Sequence, residues 1–200
     1  MKRSLIVLLV LGGLVALVAF WAIGFQRSMT GLNEGVAAQW ANVETRYQQR
    51  ADATKNLVAT IKGSAEFENK TLREVVEARS KATSITLSGD ALTPENIARF
   101  EQAQSQFTGA LSRMLATIEQ YPTLQTTQAF RDFMTQYEGM ENRIAVERLK
   151  FNGAVREFNT RVKMVPGNLL AGLFGFAEKG YFKSAEGTEN APEVDFNSSK

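Results

Sequence analysis

The chain has 200 residues, 44% of them hydrophobic, enough for one domain that buries a core plus additional segments. Its 23 Lys and Arg against 21 Asp and Glu leave a net charge of +2 without a basic stripe, which argues against nucleic acid as a partner. There is no His and no Cys. That excludes imidazole- or thiol-based nucleophilic triads, imidazole and thiolate metal sites, Glu-x-x-His di-iron pairs, disulfides and a lipid-bearing lipobox cysteine.

Lys2 and Arg3 precede an uncharged apolar run from Leu5 to Phe25. A helix needs about twenty such residues to cross a bilayer, and this run is long enough. The rival reading is a cleaved signal peptide, whose apolar core is usually shorter, about 7–15 residues. A small-x-small site exists at Ala22-Ile23-Gly24, but Phe20, Trp21 and Phe25 crowd it and fit an interfacial belt better. Residues 1–27 are therefore read as a retained single-pass anchor, marked by Leu5, Phe20, Trp21 and Phe25. Lys2 and Arg3 outweigh the lone Arg27, which places the N-terminus in the cytoplasm and the remainder outside.

With only 4 Pro, long uninterrupted helices are expected. From Ser28 to Lys62, the residues Val36, Trp40, Val43, Tyr47, Arg50, Thr54, Leu57 and Ile61 step by four and three, as in a heptad pattern. Gly31 and Gly35 suggest a flexible or kinked join to the anchor, and Lys62-Gly63-Ser64 a stop. A further helix is expected from Glu66, with Glu66 and Glu68 favourable on its dipole, to about Thr86. Its stripe is Leu72, Val75, Arg79 and Ala82, with Val76 beside it. After a turn-rich Leu87–Leu92, Thr93 is an N-cap and Pro94 a first helical residue. Ile97, Phe100, Gln104, Phe107, Leu111, Met114, Ile118 and Tyr121 then form one face, closed by Tyr121-Pro122. The Thr-rich turn Thr123–Thr127 follows.

Residues 127–163 read as the longest soluble helix, with Phe130, Phe133, Tyr137, Ile144, Phe151, Val155, Phe158 and Val162 on one stripe. The rhythm meets Glu141 and Arg148, so charges lie on or beside the buried seam. Pro166-Gly167 ends this helix. The apolar segment 168–182 is too short to span; it caps the bundle base or lies among lipid headgroups. Residues 184–200 are acidic and polar and read as disordered.

Short connections make consecutive helices antiparallel. The expected fold is all-α: an N-terminal transmembrane helix, then an antiparallel up-and-down four-helix bundle over 28–165 with long first and last helices. A membrane-proximal segment, 166–183, and the tail complete it. The polar residues Arg50, Arg79, Glu141 and Arg148 form either a network that fixes bundle register or a site for an anion or a partner's charge. Asn152 and Asn159, one heptad apart, are read as hydrogen-bonding between helices rather than to a ligand. Glu138 and Glu141 have no matching ligands for a metal. No phosphate loop or nucleophile elbow is present, and no cofactor is expected.

Those residues carry a resemblance to the LemA family over about residues 25–182. Its first block is Trp40-x-x-Val43, Arg50-x-Asp52-x-x-x-Asn56-Leu57-Val58, Lys62-Gly63 and Glu66. Ala78-Arg79, Leu111 to Glu119 and Tyr121-Pro122 follow. The strongest block is Tyr137-Glu138-Gly139-x-Glu141-Asn142-Arg143-Ile144-Ala145, Arg148, Phe151-Asn152, Phe158-Asn159, Pro166 and Gly175-Phe176. The family often has Tyr-Asn where Phe25-Gln26 and Phe151-Asn152 stand here, so two phenolic hydroxyls are missing. The resemblance implies an N-terminally anchored helical bundle in the bacterial envelope with no established enzymatic activity. The expected role is a non-enzymatic interaction module or scaffold with a membrane or envelope protein as partner. A ligand sensor using the Arg cluster, or homo-oligomeric self-assembly through the heptad stripes, are the alternatives.

Overall fold

A computed structural model describes residues 2–63 and 69–183. Six helices account for nearly all of them, with no strand among the described residues: α1 Lys2–Lys62, α2 Asn69–Ser84, α3 Pro94–Ile118, α4 Pro122–Gln125, α5 Gln128–Lys163 and α6 Gly167–Leu173. The all-α expectation holds. Glu66, Glu68 and Ser64, and the tail 184–200, lie outside the described residues.

The anchor and the first bundle helix are one element. The expected kink at Gly31 and Gly35 is absent, because α1 runs unbroken for 61 residues, about 90 Å. A Cβ at either glycine would meet nothing within 4 Å, so neither glycine serves a close packing contact. Its N-terminal part is long and apolar enough to cross a membrane, with Leu5 62% and Phe20 80% exposed. Phe25, the last residue of the apolar run, packs its ring on the base of the bundle, against Gly167.

Cross-contacts fix the direction of each helix. Trp40 meets Phe151 and Arg50 meets Glu141, so α1 and α5 are antiparallel. Gln104 reaches Ala82 and Arg113 reaches Glu74, so α2 and α3 are antiparallel too. Every residue of the α1 stripe from Val36 to Ile61 is buried. The α5 stripe passes through Phe133, Met140, Ile144, Glu147, Phe151, Val155 and Phe158. It runs through Met140 and Glu147, so Glu141 and Arg148 flank the seam rather than interrupt it.

Sequence-encoded caps set the boundaries. Thr93 Oγ1 accepts from the Asn96 N–H at 3.3 Å with Pro94 in the first turn, and Thr127 Oγ1 accepts from Phe130 N–H at 3.3 Å. The Thr-rich turn is a single helical turn, α4.

Two cores are stacked along the bundle. The far core joins α1, α2, α3 and the first half of α5 around Leu57, Val75, Phe107, Leu111 and Phe133. In the near core, α2 has ended. Its place is taken by residues 85–92 and by the chain after α6, around Trp40, Phe100, Phe151 and Phe158. The apolar segment 168–182 is therefore two structures. Residues 167–173 are a short helix at the base. Residues 176–183 are a non-helical strap climbing away from it, with Phe182 only 4% exposed in the near core.

Gly175 makes that reversal. It sits at φ +76° just past α6, Phe176 N–H donates to Ala171 O at 2.9 Å, and Gly175 N–H donates to Gly172 O at 3.3 Å. This is the two-bond left-handed glycine termination of a helix.

Truncating a residue of the near core should cost far more than truncating its exposed neighbour. Phe151→Ala is expected to lose about 3–5 kcal/mol of unfolding free energy in urea titration, and Leu149→Ala, 72% exposed on the same helix, less than about 0.5 kcal/mol.

Candidate functional site

The polar residues singled out in the sequence do not form one site. They divide into a hub at Arg50 and a clasp on the strap, with Arg79 serving a separate junction.

Arg50 is 1% exposed, and its guanidinium is divided among partners from other helices. Nη1 donates to Thr108 Oγ1 and to Glu141 Oε1, both at 2.9 Å, and Nη2 donates to Gln104 Oε1 at 2.8 Å. The rings of Tyr47 and Phe107 lie on it, each centroid 5.1 Å from Cζ. Gln104 in turn donates to Ala82 O at 3.2 Å. One side chain thus links α1, α3 and α5 directly and the end of α2 through Gln104. Only Nε lacks a partner. Desolvation of the buried guanidinium offsets much of its attraction to Glu141, whose side chain is 35% exposed.

Arg79 donates from Nε to Ala51 O at 2.9 Å and approaches Asp52 at 3.9 Å, joining α2 to α1. Arg148 pairs with Glu101 of α3, donates to Lys183 O at 2.8 Å, and lies over the Phe182 ring with its centroid 4.7 Å away. Glu138 is not drawn into any of these groups.

Asn152 and Asn159 bond to the strap, not to another helix. Asn159 Nδ2 donates to Lys179 O and its Oδ1 accepts from Lys179 N–H, both at 2.9 Å. Asn152 does the same with Phe182, again at 2.9 Å both ways. Each amide presents a donor and an acceptor to one residue's backbone, as a neighbouring strand would. The spacing follows from geometry. One heptad of α5 rises about 10.5 Å, and three residues span about 10 Å only when extended, so two asparagines a heptad apart select an extended chain.

The rest of the strap is fitted around these bonds. Gly180 N–H donates to Leu92 O at 2.9 Å, and a Cβ on Gly180 would lie 2.8 Å from Pro94 Cα and 2.9 Å from Thr93 O. Only glycine fits. Lys179 is 5% exposed; its Nζ donates to Gly89 O at 3.0 Å and Asp90 Oδ1 at 3.1 Å. Phe182 stacks on Trp40 at 6.0 Å between centroids and meets Phe100 and Phe151 edge-on.

Sequence reasoning missed several of these residues. Lys179 and Gly180 sit inside an apolar run, where a lone cation was the available signal. Gln104 appears on its helix's apolar face and could have been paired with Arg50. Glu147 gave no signal beyond its place in the rhythm. It is buried, with one oxygen accepting from Lys150 Nζ at 3.0 Å and the other without a partner.

A groove of about 510 Å³ opens between α1, the end of α2 and α3, lined by Glu44, Tyr47, Asp52, Phe100 and Gln104. Desolvation raises the Glu44 carboxyl above the usual carboxylate range, partly countered by hydrogen bonds from Trp40 and the Leu87 backbone. Burial likewise pushes the Tyr47 phenol up. Among the described residues no cluster of three or more Asp or Glu is placed to hold a metal ion.

A family model described as the LemA family matches residues 39–196, a stretch that contains both the hub and the clasp. Magnetosome protein MamQ 2 of Paramagnetospirillum magneticum is 27% identical over 198 residues, covering 90% of this chain and 72% of its own. Magnetosome protein MamQ of Magnetospirillum gryphiswaldense is 38% identical over 80 residues, 40% of this chain and 29% of its own. Protein LemA of Metamycoplasma hominis is 22% identical over 144 residues, 72% and 62% of the two chains.

Because the pKa of Glu44 is higher folded than unfolded, its share of stability is present below the unfolded carboxylate pKa and lost as pH rises through the folded value. Glu44→Gln is therefore expected to raise the melting temperature relative to the parent at pH 7, and the gain should vanish near pH 4, when the parent side chain is protonated. Melting curves at the two pH values check this.

Proposed function

The chain belongs to the LemA family, and from that premise we propose that it is a non-enzymatic, membrane-anchored helical scaffold or interaction module of the bacterial envelope. In this reading α1 crosses the inner membrane once, with Lys2 and Arg3 on the cytoplasmic side and the bundle on the other. The observation that carries it is the use made of the polar side chains. Arg50, Arg79, Arg148, Asn152 and Asn159 are each spent on joining helices or holding the strap. A bundle that commits its buried donors to its own shape is a rigid body, suited to presenting surfaces.

The same pairing weighs against the anion-sensor alternative. The three guanidiniums serve three junctions, and each already faces a carboxylate. Self-assembly through the heptad stripes is also disfavoured, since the stripes of α1 and α5 are buried against each other within one chain. The related MamQ proteins are named for a cellular structure, the magnetosome, rather than for a reaction, which suits a structural role.

On the bundle wall, Val146 and Leu149 of α5 are exposed, at 40% and 72%. They lie one turn apart, away from the seam, and are the surface on which we expect a partner to sit. Crosslinking the full-length protein in its native membrane should capture one reproducible second protein, and the Leu149→Glu variant should lose it while keeping the parent's melting temperature. Capture of nothing but further copies of the chain would sink the scaffold reading.

A further inference from the structure

We propose that α6 is a second membrane contact, an apolar edge lying in the headgroup boundary of the leaflet from which α1 emerges. The inference rests on α1 crossing the membrane and adds the lipid surface as a partner of the bundle base.

α6 has two unlike edges. Gly167 and Ala171 face the bundle and are buried, while Leu169 and Leu173, at the same spacing on the opposite edge, are 74% and 76% exposed. Val165, just before the helix, is 79% exposed, and Met164 is 56% exposed. Among the described residues nothing covers these side chains, although the chain spends a glycine to bring this helix close. The nearest atom to a Cβ on Gly167 would be Phe25 Cε2, at 2.7 Å, so α6 is pressed against α1 at Phe25.

Phe25 fixes the height. It ends the apolar run that starts at Leu5, a helical length of about 31 Å, which matches a hydrocarbon core of about 30 Å. A helix docked at Phe25 therefore lies where the hydrocarbon meets the headgroups, and its outer edge meets lipid before any soluble partner. The last turn of α5, directly above, carries Arg161 and Lys163, and Arg27 follows Phe25 on α1. Cations over an apolar edge are the arrangement of an interfacial helix.

The consequence is orientation. A single transmembrane helix leaves the bundle free to rotate about the helix axis and to tilt. A second attachment point beside it removes that freedom and sets which bundle faces look along the membrane.

The absence of cysteine makes the test clean. Single nitroxide labels are placed through Leu169→Cys, Leu173→Cys, Leu149→Cys and Val15→Cys in the full-length protein, reconstituted in vesicles of phosphatidylethanolamine and phosphatidylglycerol. Relaxation by oxygen and by a water-soluble nickel chelate is then compared. At positions 169 and 173 the oxygen-to-nickel ratio is expected to lie several-fold above that at 149 and below that at 15, which sits at mid-span. A ratio at 169 and 173 equal to that at 149, with 15 still oxygen-rich, overturns the α6 contact and leaves the spanning helix standing. Nickel access at 15 as well overturns both. Low access to both reagents at 169 and 173, with spin–spin broadening, would mean that a second copy covers the edge, and also overturns it.

Discussion

A mismatch of helix lengths governs the shape of this protein. α5 has 36 residues and runs about 54 Å, but α2 has 16 and covers about 24 Å. Four helices can therefore enclose only the far half of the bundle. In the near half, Trp40, Phe100 and Phe151 would face water unless something else filled the groove between α3 and α5. The strap fills it. Its Phe182 closes the aromatic group, and its backbone, which would be left without partners in an apolar groove, is satisfied by two asparagine amides. The reversal at Gly175 and the bare Cα of Gly180 are what let the chain reach and enter that groove.

Arg50 is the counterpart of the clasp in the far half. A guanidinium in a helical core has no stabilising advantage over a well-packed hydrophobe. It supplies direction: three hydrogen bonds in a planar fork demand Gln104, Thr108 and Glu141 at set positions. The hub joins α1, α3 and α5, and the clasp ties the chain end to α5. Together they make a continuous rod from the apolar run to the far tip, because α1 does not break between them.

The all-α class, the long helices and most buried positions were legible in the sequence, since a stripe at three- and four-residue steps has one folded outcome. The cap at Thr93 and the seam position of Arg50 were legible for the same local reasons. The join at Gly31 and Gly35 was misread because helix propensity is a weak term beside the burial of Met29 and Val36 on either side. The partners of Asn152 and Asn159 were not legible. Their heptad spacing suggests a helix–helix contact, and only the fold shows that the same distance equals three residues of extended chain. Likewise, the segment 168–182 reads as one apolar unit because hydropathy does not register the left-handed turn at Gly175 that divides it.

The strap belongs to the core and is held by backbone hydrogen bonds to Asn152 and Asn159. Amide hydrogen exchange at Lys179 and Phe182 in the full-length protein tests it most directly, since those two N–H groups donate to the asparagine oxygens. Protection comparable to the centres of α1 and α5 is expected, lost at Lys179 in Asn159→Ala while α1 keeps its protection. Exchange at these two amides as fast as in an unstructured peptide would contradict it.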